Sequence, residues 1–323
     1  MKESFRVPLW IFRRNESDII NCYNFLTPYV VRATGGTMLN FGYWDEKTVN
    51  PSEAQIDLCK IVGEFAQFHS AKNIVDVGSG FSAPALYWSS LYKHLNTICL
   101  NVNFFQLKRA AGLVKGSKTD NNLINRESNY LAVSCVNQST TSNISLLNGT
   151  AKQLPFKDQS IDRVIALESA QHFRPLIQFI QESRRILNYE DGLLILVLPV
   201  LTSTAISKFE EIKRLGLLSF TWASEHYEIE FIKSLVKNSG FRIIDISHIG
   251  NNVYRPVADY YTKNRNRIKE MFLGEMMCSS ISRYPKRLLF ELSEQLIYRS
   301  ALKMKDVSQK GFIDYVLIKA KIS

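Results

Sequence analysis

The segment Asn73–Trp88, NIVDVGSGFSAPALYW, combines a strand-like apolar run, a turn with two glycines and the start of a helix. Glycines in such a turn let a ligand approach the backbone, and the N-terminus of the helix offers it free N–H groups. The spacing Gly78-x-Gly80-x-x-Ala83 matches the fingerprint of a dinucleotide site, where those groups face a pyrophosphate. Asp76 would repel a pyrophosphate, so the turn favours a ligand that carries positive charge.

The same turn, written Asp76-x-Gly78-x-Gly80-x-Ser82, resembles the turn that binds S-adenosylmethionine (SAM) in class I methyltransferases. SAM carries an amino-acid end and a sulfonium, so a nearby carboxylate helps to bind it. We therefore predict that the turn, with Ser79 between its glycines, binds SAM.

Asn101 ends the second predicted strand, where both kinds of ligand usually meet an acid that holds the ribose hydroxyls. An amide can still bond to a hydroxyl, and Val102 and Gln106 follow within reach of the same ligand. The pattern resembles a variant found in sterol 24-C-methyltransferases and cyclopropane-fatty-acid-type enzymes. The alternative is that Asn101 only caps a turn.

The most specific pattern spans residues 146–197, where LLNGTAKQLPFKDQSIDRVIALESAQHF is followed by ESRRILNYEDG. It resembles the run G-D-A-x-x-L-P-F-x-D-x-S-F-D-x-V-x-x-x-E-x-x-x-H and E-x-x-R-V-L-K-P-G-G of the broad type 11 group of class I methyltransferases. That group includes ubiquinone, tocopherol, sterol and natural-product enzymes. The resemblance implies SAM as cofactor, with Ala151 beside the adenine and Thr150 in the place of the usual Asp. The matching residues are Gly149, Ala151, Leu154, Pro155, Phe156, Asp158, Ser160, Asp162, Val164, Glu168, His172, Glu182, Arg185, Leu187 and Gly192.

His172 is the candidate general base, because relatives place a catalytic histidine in this E-x-x-x-H segment and its usual pKa of ~6.5 suits the role. Glu168 is expected to support the SAM pocket or to orient His172. A structural or orienting histidine is the alternative. If the acceptor is an alkene, aromatic faces that stabilise a cation are needed instead. The candidates for those faces are Phe41, Tyr43, Trp44, Phe173 and Trp222.

The segment Gly35–Asp45, GGTMLNFGYWD, resembles an H-x-G-Y-W segment that precedes the core in tocopherol-type and in sugar- or polyketide-modifying relatives. There it helps to cover SAM and the substrate, which implies that Tyr43 reaches the SAM carboxylate. A packed aromatic turn is the alternative.

Strand-like apolar runs alternate with helix-sized segments, which predicts an α/β fold with a mostly parallel sheet and helices on both faces. The runs are continuous, so the sheet is expected to be buried on both sides. Their number and order match the seven-stranded, Rossmann-like class I methyltransferase sheet. They are residues 73–78, 97–102, 144–149, 162–169, 193–200, 241–249 and 312–322.

Four parts are expected along the chain. They are an N-terminal helical cap segment at 1–70, the SAM-binding core at 71–250, a helical substrate cap at 251–311 and a last core strand at 312–323. Residues 115–143 are rich in Asn, Ser and Thr and are predicted to form a surface insertion.

The composition is globular, with 46% hydrophobic residues in 323, and the five cysteines are scattered without a C-x-x-C pair. These features argue against disorder, a disulfide framework and a metal site. The N-terminus lacks the pattern of a signal peptide, and the longest apolar run, Gly192–Leu201, is shorter than the ~18 residues of a membrane span. A cytoplasmic protein with reduced thiols is expected.

From residue 262 onward the chain has thirteen Lys and Arg against six Asp and Glu, within a net charge of +10. Such a region could contact an anionic membrane surface or nucleic acid, or simply form a solvated helical face. No RNA-binding module and no N-P-P-Y signature accompany it, so nucleic acid is the less favoured partner.

The predicted function is SAM-dependent methyl transfer to a lipophilic small molecule, such as a quinone, polyketide, isoprenoid, sterol-like or glycosylated metabolite. An RNA or protein methyltransferase is one alternative. A non-catalytic binding protein is another, because Asn101 and Thr150 replace two acids that commonly hold SAM. The substrate, the methylated atom and the oligomeric state stay open.

Overall fold

A computed structural model describes residues 15–115, 143–202, 215, 225–278 and 283–323. Its centre is a seven-stranded sheet in the order β3-β2-β1-β4-β5-β7-β6. The strands are β1 Asn73–Val77, β2 Asn96–Asn101, β3 Ile144–Asn148, β4 Arg163–Leu167, β5 Leu193–Leu201, β6 Phe241–His248 and β7 Ile313–Ile322. Pairings among the first five strands are parallel, and β7 runs antiparallel to both β5 and β6.

Eight α-helices accompany the sheet in the described parts of the chain, and they confirm the predicted α/β architecture. They are α1 Glu16–Thr34, α2 Pro51–Phe65, α3 Ala83–Leu91, α4 Phe104–Lys115, α5 Leu176–Ile186, α6 Ile229–Asn238, α7 Tyr254–Cys278 and α8 Arg283–Gln309. Short 3-10 turns lie at 68–70, 170–172 and 250–252.

The central strands are covered on both faces, as their continuous apolar runs predict, whereas the edge strands β3 and β6 are only partly buried. All residues of β4 and β5 are buried. Side chains alternate between two clusters, so Ile195 packs with α2 residues such as Leu58. Its neighbour Leu194 packs with α5 residues such as Phe179 on the opposite face. Burial of such side chains contributes roughly 1.5–3 kcal/mol each and holds the carboxyl edge of the sheet rigid.

Arg163 ties the start of β4 to the loop before β1, although its side chain is only 1% exposed. Its guanidinium donates to the carbonyl oxygens of Ala66 (2.6 Å), Asp162 (2.9 Å) and Asp191 (2.7 Å). Burial lowers the pKa of this guanidinium, and the neighbouring acids oppose that change. Because carbonyl oxygens accept its hydrogen bonds, this buried cation can fix the end of the sheet that lies opposite the glycine turn.

Glu182 and Arg185 of the E-x-x-R motif have a structural role. Arg185 donates to the carbonyl oxygens of Leu154 (2.7 Å) and Phe156 (2.8 Å), and Glu182 accepts the Leu154 N–H (2.7 Å). The pair therefore holds the L-P-F loop between β3 and β4 in place.

The predicted strands agree with those observed, and the division into four parts stays a prediction. The region 251–311 contains α7, which packs against α1, and α8, which packs against α7. The proposed insertion at 115–143 lies almost wholly outside the described residues. Within the described residues, no helix is long and apolar enough to cross a membrane.

Candidate functional site

A cavity opens at the carboxyl ends of β1, β2, β3 and β4. That edge is where open α/β sheets bind ligands, because successive loops diverge there. One wall comes from the loops that follow these strands, and the other comes from α1 and the segment before α2. The polar and glycine residues that line it include Glu16, Tyr23, Thr37, Asn40, Asp76, Gly78, Ser79, Gly80, Asn101, Asn103, Gln106, Gly149, Lys152, Glu168, Ser169 and His172.

The glycine turn follows β1 and is tied to the neighbouring strands. Gly78 has φ +81° and donates its N–H to the Leu100 oxygen at 2.7 Å. A Cβ at position 78 would stand 2.4 Å from the Cβ of Ser169, whose hydroxyl donates to the Val77 oxygen. Only glycine fits this close approach at a positive φ.

Asp76 is 2% exposed and lines the cavity from the end of β1. Burial raises the pKa of its carboxyl to about 7, and no donor of the described residues offsets that change. A cationic ligand group would favour the ionised form, because a buried unpaired carboxylate is costly. The carboxyl therefore fits the amino or sulfonium group of SAM better than a pyrophosphate.

Asn101 and Gln106 form a pair at the end of β2. The Asn101 side chain donates to the Gly80 oxygen (3.1 Å) and to Gln106 Oε1 (2.9 Å), and it accepts the Asn103 N–H (3.0 Å). Gln106 Nε2 is buried without a hydrogen-bond partner among the described residues. Asn101 thus braces the glycine turn and the start of α4, while Gln106 presents an unused donor beside the cavity.

Thr150 and Ala151 follow β3, and Ala151 lines the cavity. The Thr150 hydroxyl donates to Glu16 Oε1 at 2.5 Å, and Lys152 Nζ lies 3.4 Å from the same oxygen. A carboxylate from α1 therefore stands next to the position where the family pattern has Asp.

Glu168 follows β4 in a left-handed conformation, with φ +49°. Its Oε1 accepts the Phe41 N–H at 2.8 Å and the Tyr315 O–H at 2.7 Å. Burial raises the pKa of the carboxyl to about 7, although both hydrogen bonds oppose the increase. The residue joins the β4 loop, the segment before α2 and β7, and its role in the SAM pocket stays a prediction.

Replacing Glu168 with Gln is expected to flatten the pH dependence of stability. The folded pKa of about 7 exceeds the usual 4.5, so proton binding stabilises the fold at low pH and this contribution is lost as pH rises through 7. Glu168→Gln keeps an acceptor for Phe41 and Tyr315. We compare the free energy of unfolding of the variant with that of the wild type. This difference should shift in favour of the variant by up to about 3 kcal/mol between pH 5 and a pH above 8.

Urea unfolding of Glu168→Gln at pH 5 and pH 8.5 measures this difference. Glu190→Gln, a change of the same kind at an exposed position, should follow the wild type at both pH values. Parallel pH profiles for Glu168→Gln and the wild type would contradict a raised pKa.

His172 lies in the 3-10 turn after β4, and its Nε2 is 2.8 Å from the Tyr23 hydroxyl. The two rings are perpendicular, with centroids 5.3 Å apart. Burial is the main reason that the pKa of the Tyr23 phenol lies above its usual range, so the phenol stays neutral. The contact directs Nε2 toward Tyr23 on α1, and both residues line the cavity.

Tyr43 is not among the described residues that line the cavity. It packs against the hydrophobic core, and its N–H donates to the Ala54 oxygen at 2.8 Å. The same segment does reach the cavity through Thr37, Leu39 and Asn40. The side-chain amide of Asn40 is 6% exposed and has no hydrogen-bond partner in the described structure.

The face of α1 is the part of the site that sequence reasoning missed. Glu16, Ile19, Ile20 and Tyr23 all line the cavity. Their spacing places them on one side of the helix. That spacing is a usable signal, but it also fits an ordinary amphipathic helix. The orphaned amides of Asn40 and Gln106 together with the buried Asp76 fit the hydroxyl, carboxylate and ammonium groups of SAM. No cluster of metal-binding side chains occurs among the described residues.

A family of proteins described as "Methyltransferase domain" matches residues 75–196, from within β1 to within β5. Erythromycin 3''-O-methyltransferase of Saccharopolyspora erythraea is 23% identical over 237 residues, which cover 71% of this chain and 70% of that protein. The aligned region is therefore longer than the matched domain.

Solved structures share the fold. The cyclopropane synthase MmaA2 from Mycobacterium tuberculosis has a TM-score of 0.69 at 14% identity, covering 92% of this chain and 95% of that one. The mycolic acid cyclopropane synthase CmaA1, solved in complex with SAH and CTAB, has a TM-score of 0.68 at 15% identity, with coverage of 92% and 95%.

Proposed function

We propose that this chain, a class I methyltransferase that uses SAM, transfers the methyl group to a hydroxyl oxygen of a lipophilic small molecule. One observation carries the proposal. His172, a side chain able to take a proton, lines the same cavity as the glycine turn. A hydroxyl acceptor needs such a base, because an alcohol is a weak nucleophile until its proton leaves.

Several residues of the chain are suited to hold the cofactor. The backbone of Gly78, Ser79 and Gly80 would lie against its amino-acid end, and Asp76 would offset its positive charge. Gln106 would donate to a ribose hydroxyl, and Ala151 would lie beside the adenine. When bound, SAM supplies an activated methyl group for direct displacement.

The remaining task of the protein is alignment and exclusion of water. Glu168 would hold the segment before α2 over the cavity through its bond to Phe41. The acceptor hydroxyl would replace Tyr23 as the hydrogen-bond partner of His172 Nε2, which would then accept its proton as the new carbon–oxygen bond forms. Until the acceptor binds, the neutral Tyr23 phenol would hold that ring at the wall of the cavity.

The apolar part of the cavity supports a lipophilic acceptor. Ile19, Ile20, Leu39, Phe81 and Phe173 line it. Apolar walls with few polar groups are typical of sites for small organic molecules. The relative named for 3''-O-methylation of erythromycin supports oxygen as the atom that is methylated.

We also propose that the helices outside the core form a cap. α1 lines the cavity, and α7 packs behind it. Part of the late positive charge is paired within this cap, as in the bond from Arg265 Nε to Glu294 Oε1 at 2.6 Å. Membrane contact through the basic C-terminal region stays a prediction.

Methyl transfer to carbon is the second candidate. The aromatic rings of Tyr23, Phe81 and Phe173 lie in the cavity and could stabilise a carbocation. Of the other aromatic residues predicted for an alkene site, Phe41 and Tyr43 are not among the described residues that line the cavity, and Phe41 packs against Tyr254. Trp44 is buried against Tyr260, and Trp222 lies outside the described residues.

The first test is a calorimetric titration with S-adenosylhomocysteine, followed by transfer assays with labelled SAM. The acceptor panel contains a hydroxylated glycosylated macrolide, a hydroquinone and an isoprenoid alkene. We expect micromolar binding and a product methylated on oxygen. Methylation of the alkene carbon would favour the second candidate. Salt-dependent RNA binding with RNA methylation would overturn both, and folded protein that does not bind at millimolar ligand would indicate a non-catalytic chain.

A further inference from the structure

We propose that Glu16, on α1, binds the adenine amino group of the cofactor and supplies the carboxylate that position 150 lacks. The inference rests on SAM as the cofactor and adds a residue that the motif pattern does not contain. It assigns the first turn of α1 to the cofactor site.

The geometry begins with Thr150. Its hydroxyl donates to Glu16 Oε1 at 2.5 Å, which is a short, charge-assisted hydrogen bond. Lys152 Nζ lies 3.4 Å from the same oxygen. The other oxygen, Oε2, accepts no hydrogen bond from the described residues. Glu16 therefore keeps an unused acceptor while one oxygen anchors its side chain.

Glu16 lies at the end of the cavity that is expected to receive the adenine ring of the cofactor. The glycine turn and Asp76 suit the cationic end of the ligand, and Gln106 suits the ribose. Each lies on the loop of a successive strand, so the ligand extends from β1 past β2 toward β3. Gly149, Ala151 and Lys152 line the cavity after β3, and Glu16 lines it with them.

The adenine amino group has two N–H donors and no acceptor, so a carboxylate matches it better than a hydroxyl does. Without Glu16, the acceptor at this position would be the neutral hydroxyl oxygen of Thr150, whose proton is directed to Glu16 in this structure. Hydrogen bonds to charged groups are about twice as strong as neutral ones, and a half-buried site screens them less than open water.

The start of α1 fixes the position of Glu16. Asn15 is the N-cap, and its Oδ1 accepts the Asp18 N–H at 2.9 Å. Ile19 and Tyr23 follow on the same face of the helix. One rigid helix thus carries an adenine contact at its start and the partner of His172 two turns later.

The test compares two ligands by calorimetry. One is S-adenosylhomocysteine, and the other is S-inosylhomocysteine, in which a carbonyl oxygen replaces the amino group. The wild type should prefer the adenosyl ligand. Glu16→Gln should lose about tenfold in affinity for it while binding the inosyl ligand equally or better, because the new amide can donate to the carbonyl.

Two further variants complete the design. Glu46→Gln removes the same charge from an exposed site of the N-terminal region and should leave the ligand preference unchanged. Thr150→Asp in the Glu16→Gln background should restore the preference for the adenosyl ligand, because it returns a carboxylate to the same place. Thermal unfolding of each variant confirms that it is folded.

The outcomes separate this proposal from the cofactor assignment. If the wild type binds no S-adenosylhomocysteine, both fail. Suppose instead that the wild type binds S-adenosylhomocysteine, and that Glu16→Gln lowers the affinities for both ligands equally or changes neither. The adenine contact of Glu16 is then wrong, and the cofactor assignment stands.

Discussion

Gly78→Val is expected to lower the affinity for S-adenosylhomocysteine by more than a hundredfold. The φ of +81° is strained for a β-branched residue, and the new Cβ would lie 2.4 Å from that of Ser169. Because Ser169 is tied to the Val77 oxygen, the turn itself has to move. The Gly78 and Ser79 N–H groups would then leave the Leu100 oxygen, and the cradle for the ligand would be lost.

Gly35→Val is the matched control. Gly35 also has a positive φ, +73°, but nothing lies within 4 Å of the added Cβ and it ends α1 outside the cavity. That variant should lose roughly 1–2 kcal/mol of stability without losing the ligand. Calorimetry on both proteins, with unfolding curves, makes the comparison. Equal affinities for the two variants would show that the turn does not hold the cofactor.

His172→Ala is expected to lower kcat by 10²–10⁴-fold for a hydroxyl acceptor, which is the usual contribution of a general base. Affinity for S-adenosylhomocysteine should change by less than about threefold, because cofactor contacts lie mainly on the glycine turn and the loops after β2 and β3. Tyr23→Phe should have a smaller effect on kcat, since it removes the partner of the ring but not the base.

His94→Ala is the control, because His94 contacts the Phe68 oxygen away from the cavity. Turnover with the best acceptor of the panel gives kcat for all four proteins. Unchanged turnover in His172→Ala, together with oxygen methylation, would exclude the general-base role. Unchanged turnover with methylation at carbon would agree with the aromatic alternative.

The sheet could be predicted because its strands are continuous apolar runs, and β5 is buried along its whole length. The glycine turn could be predicted because its residues are contiguous and their spacing carries the chemistry. Asn101 shows the limit of such patterns. Its position at the end of β2 follows from the sequence, but its amide is engaged by Gly80, Asn103 and Gln106.

The contribution of α1 could not be predicted in the same way. Glu16 and Thr150 are 134 positions apart, and Tyr23 and His172 are 149 apart. Local propensity contains no information on such contacts, which depend on how the helix packs over the sheet. For Tyr43, the choice between a ligand contact and a packed turn depends on which side of the segment faces the cavity, and sequence spacing does not decide it.

The place of β7 in the sheet has a consequence for biosynthesis. β7 lies between β5 and β6 but follows both in the chain, separated from β5 by residues 202–312. During translation the outer edge of β5 stays unpaired until β7 leaves the ribosome, roughly 5–20 s later at ordinary rates. β5 has nine residues, all buried in the folded protein, and an unpaired edge of such a strand can pair with other chains. The nascent protein should therefore depend on chaperones late in synthesis. At that stage β1 to β4, which carry the cofactor site, have been made, but β7 has not yet paired with β5 and β6.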